Sequence, residues 1–320
     1  MEGSVKEKLK DAFVFIKYGT PLPIGEPIRL NQYFQEKLTE FRQNGCITID
    51  QPEFPEVADY VDEFYFQRAI EASDQDFFGL SNGVDRGLFM KSNFKPNKQG
   101  AVVNNLVSFR DTKLFPVTFN PQIIGLICKY LGRQAYIRNS IGIQQIDFPE
   151  GGVRDGNSNY HVDHFRQVSI MFLVDGTSEE ETHLVFKGGS HRRPMFREGV
   201  ETPFQMIRDR KWAERFPEKI RGVGPKGRLV IFDSSGYHMA NYVAGSTRKV
   251  MFMNFTSGHN LYEFVEPIDF LSEPAFTSQP QYMKRALRAE MNFVNKFSMS
   301  RNILPIPYKV QDLKMLRSGT

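Results

Sequence analysis

Three residues of the types that bind metal ions stand in the second half of the chain. His161 and Asp163 belong to the tripeptide His-Val-Asp, and in an extended backbone the side chains of residues i and i+2 point to the same side. His238 follows the strand-like segment GRLVIFDSSG. Two imidazoles and one carboxylate occupy one face of an octahedron and leave the other face open, as oxygen-activating non-haem Fe(II) requires. We therefore interpret His161, Asp163 and His238 as candidate metal ligands and catalytic residues.

An arginine follows the last of these residues at the start of the next strand-like segment. Arg248 opens the run RKVMFMNFT, and a guanidinium is a planar fork of donors that matches a carboxylate better than a lysine does. A dicarboxylate co-substrate could be held there. Two other classes stay open, namely a metal-binding or ligand-binding cupin without oxygen chemistry and a zinc hydrolase or isomerase. A zinc hydrolase has no evident need for an anion clamp, so Arg248 favours the oxygenase.

The elements that must position these residues are short strands. From Ala135 onward the segments are rich in β-branched and aromatic residues, with glycine-containing connections between them. They are AYIRNSIGIQQIDF, QVSIMFLVDG, THLVF, GRLVIFD and RKVMFMNFT. This pattern predicts a double-stranded β-helix, the jelly-roll or cupin-like fold, whose mouth is a usual place for a small-molecule site. In that fold His238 can return beside His161 and Asp163.

Helices are predicted on either side of this core, which makes the fold class α+β. The segments with helical periodicity are Leu30 to Asn44, Val57 to about Ser73, Pro121 to Leu131 ahead of Gly132, and Met283 to Phe297. CITID is predicted as a strand, and Gly79 to Gly100 as a mobile loop. We predict a single oxygenase domain over residues 1–320, with a helical and loop-rich N-terminal part (about 1–134), the core (about 135–260) and a C-terminal extension (about 261–320).

Taken together, these features resemble the phytanoyl-CoA dioxygenase-like family of Fe(II)/2-oxoglutarate-dependent oxygenases. FRQNGCITID (41–50) is similar to the opening helix-to-strand phrase of that family. LVFKGGSHRR (184–193) is similar to its proline-glycine-serine-histidine turn, with Gly188 where proline is usual. The similarity runs from about Phe41 to Phe255. It implies a jelly-roll enzyme that uses Fe(II), O2 and 2-oxoglutarate, the last of which is decarboxylated to succinate.

The resemblance also implies roles for single residues. His161, Asp163 and His238 would bind iron, and Arg248 would bind the distal carboxylate of 2-oxoglutarate. Further co-substrate contacts would come from Gln144 or Gln145 and from Ser158 or Asn159. Some relatives use a threonine before the serine-histidine turn. Thr182 is near that place, although counting back from His191 puts Leu184 at the motif position.

The acid at position 163 separates two outcomes within the superfamily. Halogenating relatives have a small residue there, whereas this chain keeps Asp163. Hydroxylation, desaturation or oxidative cyclisation of a small molecule is therefore favoured over halogenation. The sequence leaves open which of these reactions occurs, the identity of the substrate and the oligomeric state.

Composition excludes several other classes. The 41 basic and 37 acidic residues are interspersed and give a net charge of +4, so no nucleic-acid or membrane surface is expected. Cys46 and Cys128 have no CxxC spacing, which argues against a disulfide framework. Without a signal-peptide pattern or a run of roughly 18 apolar residues, a cytoplasmic protein is expected. Basic residues of the expected pocket walls favour a small carboxylated or phosphorylated substrate; they are Arg86, Lys91, Lys95, Lys98, Arg154, Arg208, Arg210 and Lys211.

Overall fold

The computed structural model of the chain describes residues 28–67, 89–92, 101–107, 111–132, 135–137, 141–150, 158–163, 167–192 and 213–256. The predicted helix from Met283 to Phe297 lies outside these residues, as does the end of the helix predicted to reach Ser73. Among the helices of the described ranges, none is long and apolar enough to cross a membrane.

Short helices lie in the N-terminal part of the described chain, ahead of Tyr136. They are α1 (Gln32–Asn44), α2 (Pro55–Tyr60), which continues as a π-helical segment (Val61–Phe66), α3 (Phe115–Thr118) and α4 (Pro121–Leu131). The boundaries of α4 are as predicted: the Asn120 side chain caps its first turn, and Gly132 ends it with φ 74°, a left-handed conformation that glycine adopts without strain. α1 ends in the same way at Gly45, with φ 76°.

All strand pairs are antiparallel and form a large and a small sheet. The strands are β1 (Cys46–Ile49), β2 (Phe89–Ser92), β3 (Ala101–Val107), β4 (Tyr136–Ile137), β5 (Ile141–Asp147), β6 (Gln167–Leu173), β7 (His183–Lys187), β8 (Lys219–Gly222), β9 (Leu229–Asp233), β10 (His238–Asn241) and β11 (Thr247–Thr256). The large sheet has the order β1-β9-β6-β11-β5-β3-β2, with β4 also paired to β11, and the small sheet has the order β10-β7-β8. From β6 the chain passes to β7 and β8 of the small sheet, returns to β9 in the large sheet, crosses again to β10 and returns to β11, so the predicted α+β jelly-roll core is confirmed.

Some predicted boundaries were wrong. β2 lies within the segment that was predicted as a loop, and β3, β8 and β10 were not predicted as strands. β3 pairs with β5 and β2 pairs with β3, each with one register shift, and together they extend the large sheet beyond β5. β8 is an edge strand with largely exposed residues, and β10 is short and polar. β2, β8 and β10 have only four residues each and weak apolar patterns of their own, so pairing with neighbouring strands holds them in place.

The two faces of the large sheet bury different sets of residues. On β11, Met251, Met253 and Phe255 pack with the helices in one core cluster. Val250 and Phe252, which alternate with them, pack in a second cluster with residues of the small sheet. Because successive side chains of a strand point to opposite faces, even-numbered residues of β11 face the space between the sheets. Arg248 and Asn254 belong to that inner face.

Candidate metal centre

The two candidate histidine ligands are direct backbone neighbours. His161 and His238 form an antiparallel bridge in which each N–H donates to the carbonyl oxygen of the other at 2.9 Å. Residues paired in this way direct their side chains to the same face, and the two ring centroids lie 4.4 Å apart. The sequence thus brings two distant histidines together through one pair of hydrogen bonds.

The third candidate ligand, Asp163, lies two residues after His161 and is fixed by a backbone hydrogen bond. The Asp163 N–H donates to the Ser234 carbonyl at 2.8 Å, which ties this residue to the connection that leads into β10. The candidate ligand atoms of His161, Asp163 and His238 all lie within 4.8 Å of one another. Both histidines are buried and Asp163 is half-buried. The structure therefore assembles the three residues that the sequence predicted as one cluster.

Backbone carbonyls set the tautomers of both rings. The Nδ1–H of His161 donates to the Asn159 carbonyl at 2.8 Å, and the Nδ1–H of His238 donates to the Gly236 carbonyl at 3.0 Å. A carbonyl oxygen can only accept, so the proton of each neutral ring resides on Nδ1 and the lone pair on Nε2. This is the usual arrangement around metal-binding histidines. Two such lone pairs and a carboxylate at this separation repel one another unless a cation lies between them, so the donor set fits a divalent metal.

A buried carboxylate anchors the turn that orients His238. Asp233 is 1% exposed and accepts hydrogen bonds from Tyr130 Oη at 2.6 Å, Ser235 Oγ at 2.6 Å and Ser235 N at 3.0 Å. The Gly236 N–H donates to the Asp233 carbonyl at 2.9 Å. Asp233 therefore caps the turn and links it to α4. It acts on the His238 ring indirectly, through the position of the Gly236 carbonyl.

Replacing Tyr130 by phenylalanine tests this anchor. The substitution removes one donor from a buried carboxylate, and we expect the free energy of unfolding to fall by about 2 kcal/mol, as measured by urea denaturation. A decrease below about 0.5 kcal/mol would show that the carboxylate does not depend on this donor. Tyr33→Phe is the matched control, because within the described part of the chain the Tyr33 hydroxyl accepts hydrogen bonds from the backbone N–H groups of Asp50 and Gln51 and bonds to no carboxylate.

Gly236 has no room for a side chain. A Cβ atom there would lie 2.3 Å from Cζ of Phe186 and 3.0 Å from Oγ of Ser190. We expect Gly236→Ala to destabilise the fold by about 1–3 kcal/mol through overpacking and to weaken Co(II) binding about tenfold, because the carbonyl that orients His238 is displaced. Absorption titration with Co(II) measures the second effect. Unchanged Co(II) affinity in a destabilised variant would show that the position of the Gly236 turn does not affect metal binding.

Arg248 is a buried cation on the inner face of the large sheet. It is 6% exposed, and its Nη2 donates to Gln144 Oε1 at 3.1 Å. Its Nε is buried and has no hydrogen-bond partner among the described residues. Burial lowers the pKa of this guanidinium, against the opposing influence of Tyr242 and Asp175. A buried charge without a bonded counterion is costly, and a bound anion would relieve that cost.

The other predicted co-substrate residues fall into different positions. Gln144 faces Arg248, whereas Gln145 lies on the opposite face of β5 and bonds to the Asp147 carboxylate. Asn159 is exposed, and its carbonyl holds His161. The Thr182 hydroxyl lies 2.7 Å from Ser246 Oγ and accepts from Val243 N at 3.0 Å. Thr182 thus holds the loop ahead of Arg248, and no contact with Arg248 is seen within the described chain.

The two motifs that carried the family resemblance contact each other. The Gly189 N–H donates to the Asn44 carbonyl at 2.8 Å, and the His191 ring contacts Arg42 O at 3.2 Å. A Cβ atom on Gly45 would lie 2.1 Å from Nδ1 of that ring, so glycine is required there for packing as well as for its φ. His191 therefore contributes a packing contact between the two segments.

Sequence reasoning missed Tyr130 and Phe232 as neighbours of the site. The Phe232 ring lies 5.2 Å from the His238 ring, centroid to centroid, and Tyr130 reaches Asp233 from α4. Tyr130 offered one weak signal, a hydroxyl near the end of an otherwise apolar helix. Phe232 offered none, because it is one of many apolar residues in a buried strand.

Fold and site together define a jelly-roll protein with a His-Asp-His cluster and a buried arginine between its sheets. No model of a known protein family matches the chain, and no curated protein sequence matches it. Solved structures of similar architecture include the epimerase SnoN in complex with Fe3+, α-ketoglutarate and nogalamycin RO, at 13% identity and TM-score 0.48, covering 70% of this chain and 83% of that one.

Two further structures are similar at the same level. One is EctD from S. alaskensis with bound Fe, at 14% identity and TM-score 0.49, covering 83% of this chain and 89% of that one. The other is the non-heme α-ketoglutarate-dependent carbocyclase SnoK from nogalamycin biosynthesis, at 15% identity and TM-score 0.46, covering 78% of this chain and 97% of that one. At these values the likeness carries no argument about function.

Proposed function

We propose that this chain is a non-haem Fe(II)- and 2-oxoglutarate-dependent oxygenase that hydroxylates, desaturates or oxidatively cyclises a small molecule. Within that superfamily we assign it to the phytanoyl-CoA dioxygenase-like branch. The assignment rests on the segments 41–50 and 184–193, whose residues also contact each other in the fold. His161, Asp163 and His238 are the proposed iron ligands and Arg248 the proposed anchor of 2-oxoglutarate.

One observation carries the proposal: a buried guanidinium lies inside the same jelly roll as a His-Asp-His cluster. A metal-binding protein without co-substrate needs the cluster alone, and in such a protein Arg248 would be a buried charge without function. A dicarboxylate explains both features, because one end can bind the metal while the other pairs with the guanidinium. Among the described residues no carboxylate oxygen is hydrogen-bonded to Arg248.

The proposed roles follow from the surroundings of each residue. His161 and His238 bind the metal through Nε2, with their Nδ1–H groups held by carbonyls. Asp163 would contribute the negative charge, and a set of only three protein ligands would leave positions for a co-substrate. Arg248 and Gln144 bind the carboxylate remote from the metal, in a region closed by the buried side chains of Ile146, Phe148 and Tyr242; that cluster keeps water from the ion pair.

When bound, Fe(II) together with 2-oxoglutarate and O2 supplies an oxidant able to remove hydrogen from an unactivated C–H bond, with release of succinate and CO2. The protein's own contribution is placement and exclusion of water. Asn159 and Thr182 are proposed to support the site, Asn159 by orienting His161 and Thr182 by holding the loop before Arg248. A direct contact of either side chain with 2-oxoglutarate remains a prediction.

The test is an anaerobic titration of the metal-free protein with Fe(II) and then with 2-oxoglutarate. We expect the weak visible metal-to-ligand charge-transfer band of a chelated 2-oxo acid, and succinate release on exposure to air. Succinate in place of 2-oxoglutarate is the matched control, because it lacks the keto oxygen and should give no band. Tight Fe(II) binding without a band at saturating 2-oxoglutarate would overturn the proposal in favour of a non-oxidative metal-binding cupin.

A further inference from the structure

A group of neutral polar side chains occupies the inner face of the large sheet. Gln167 Nε2 donates to Ser169 Oγ at 3.1 Å and to Asn254 Oδ1 at 3.0 Å, and Ser169 Oγ donates to Asn254 Oδ1 at 2.8 Å. Gln167 and Ser169 are buried, and Asn254 is half-buried. We call these three residues the polar trio. The trio shares the inner face with the apolar residues Met171, Phe232 and Phe252, so this group of polar side chains requires an explanation.

The polar trio and Arg248 lie at opposite ends of the inner face. Arg248 and Asn254 are on the same strand and the same face, about 20 Å apart along the backbone. Ser169 is paired with Phe232 on β9, and the Phe232 ring contacts the His238 ring, with centroids 5.2 Å apart. The candidate metal centre therefore adjoins the trio through Phe232. A co-substrate that extends from the metal toward Arg248 leaves the trio on the side where a substrate must lie.

The polar trio has one donor, Asn254 Nδ2, that is available to a ligand. Because Asn254 Oδ1 already accepts two hydrogen bonds, the Asn254 amide group directs Nδ2 away from its partners. Nδ2 has no hydrogen-bond partner among the described residues, and it is not sealed from solvent. No charged side chain of the described chain bonds to Ser169 or Asn254. The surroundings are apolar, with Met171, Phe232 and Phe252 on the same inner face.

Resting on the function proposed above, we propose that the polar trio is the substrate subsite and that it binds a neutral hydroxyl or carbonyl group of an otherwise apolar molecule. Since no charged side chain of the described residues bonds to Ser169 or Asn254, a carboxylate or phosphate there would lose its hydration at a cost that neutral hydrogen bonds do not offset. A hydroxyl or carbonyl group accepts from the Asn254 amide at little cost. The basic residues that favoured an anionic substrate lie outside the described residues, apart from the backbone of Lys91.

The experiment uses small molecules in sets that share one carbon skeleton and differ in one group: an alcohol, its carboxylic acid and its amine. Each is added anaerobically to the Fe(II)–2-oxoglutarate complex, and perturbation of the charge-transfer band reports binding beside the metal. The variants are Asn254→Ala, which removes the amide, and Asn254→Asp. The second keeps an acceptor for Gln167 and Ser169 but replaces the exposed N–H donor by a charged oxygen.

We expect alcohols and not their acids to perturb the band of the wild-type protein. Asn254→Ala should weaken alcohol binding about tenfold with the affinity for 2-oxoglutarate unchanged. Asn254→Asp should shift preference toward the amine, which a merely structural role would not produce. Preference of the wild type for acids, no response to any neutral compound, or alcohol affinity unchanged in Asn254→Ala would overturn the subsite while leaving the oxygenase intact. Absence of the band itself in the wild type would overturn both.

Discussion

Replacing Asp163 by alanine is expected to lower Fe(II) affinity by at least about a hundredfold, since loss of groups that merely support metal ligands already costs about 10- to 100-fold. Succinate release should fall below detection. The carboxylate is the one anionic group of the cluster, and without it two neutral imidazoles hold the metal. Iron content after dialysis and anaerobic Fe(II) titration measure the change, and oxidation of 2-oxoglutarate measures the consequence.

Glu179→Ala is the matched control for this variant. Glu179 is an exposed carboxylate paired with Arg221 on the protein surface, and its loss should leave Fe(II) binding unchanged. Retention of wild-type affinity by Asp163→Ala would mean that the metal is held elsewhere. The cluster of His161, Asp163 and His238 would then be a polar group of the jelly-roll interior without a catalytic role.

Replacing Arg248 by methionine is expected to weaken 2-oxoglutarate binding about 100-fold, equivalent to roughly 3 kcal/mol, with Fe(II) affinity unchanged. Lysine at this position keeps the charge but cannot form two parallel bonds to a carboxylate, so Arg248→Lys should fall between wild type and Arg248→Met. The charge-transfer band, titrated with 2-oxoglutarate at saturating Fe(II), measures all three proteins.

Arg248→Met should weaken 2-oxoglutarate binding but should not lower the stability of the ligand-free protein. In the absence of an anion, Arg248 is a buried charge whose Nε has no hydrogen-bond partner within the described residues. Methionine has a similar length and no charge, so the substitution removes the desolvation cost of the guanidinium. The free energy of unfolding of Arg248→Met without ligand should therefore equal or exceed that of the wild type. A large loss of stability would show that Arg248 is a structural residue, and unchanged affinity for 2-oxoglutarate would exclude it as the anchor.

Local sequence patterns were sufficient where an element depends on its own residues. Proline at the start and glycine after the end marked the limits of α4, and β-branched and aromatic residues identified β6, β9 and β11 as strands. The His-x-Asp spacing placed two candidate ligands on one side of an extended segment. These signals are local because helix caps and strand periodicity act over a few residues.

Local sequence patterns could not decide which of two neighbouring residues faces the site. Gln144 and Gln145 are equivalent by sequence, and only the register of β5 against β11 turns Gln144 toward Arg248. β2 is a short edge strand that is paired to β3, and β3 in turn is paired to β5. The anchor of the His238 turn by Tyr130 depends on how α4 packs against the large sheet, and nothing near Tyr130 in the chain indicates Asp233 as its partner.

By itself, the sequence determined the residue types of the site, the jelly-roll class and the proposed chemistry, because ligand identity and strand periodicity are written in single residues and short spacings. Tertiary structure alone decided which atoms meet. The bridge between His161 and His238, and the connection of the candidate metal centre to the polar trio through Phe232, arise from pairing between distant segments. Such pairings depend on the register of whole sheets, which no short segment specifies.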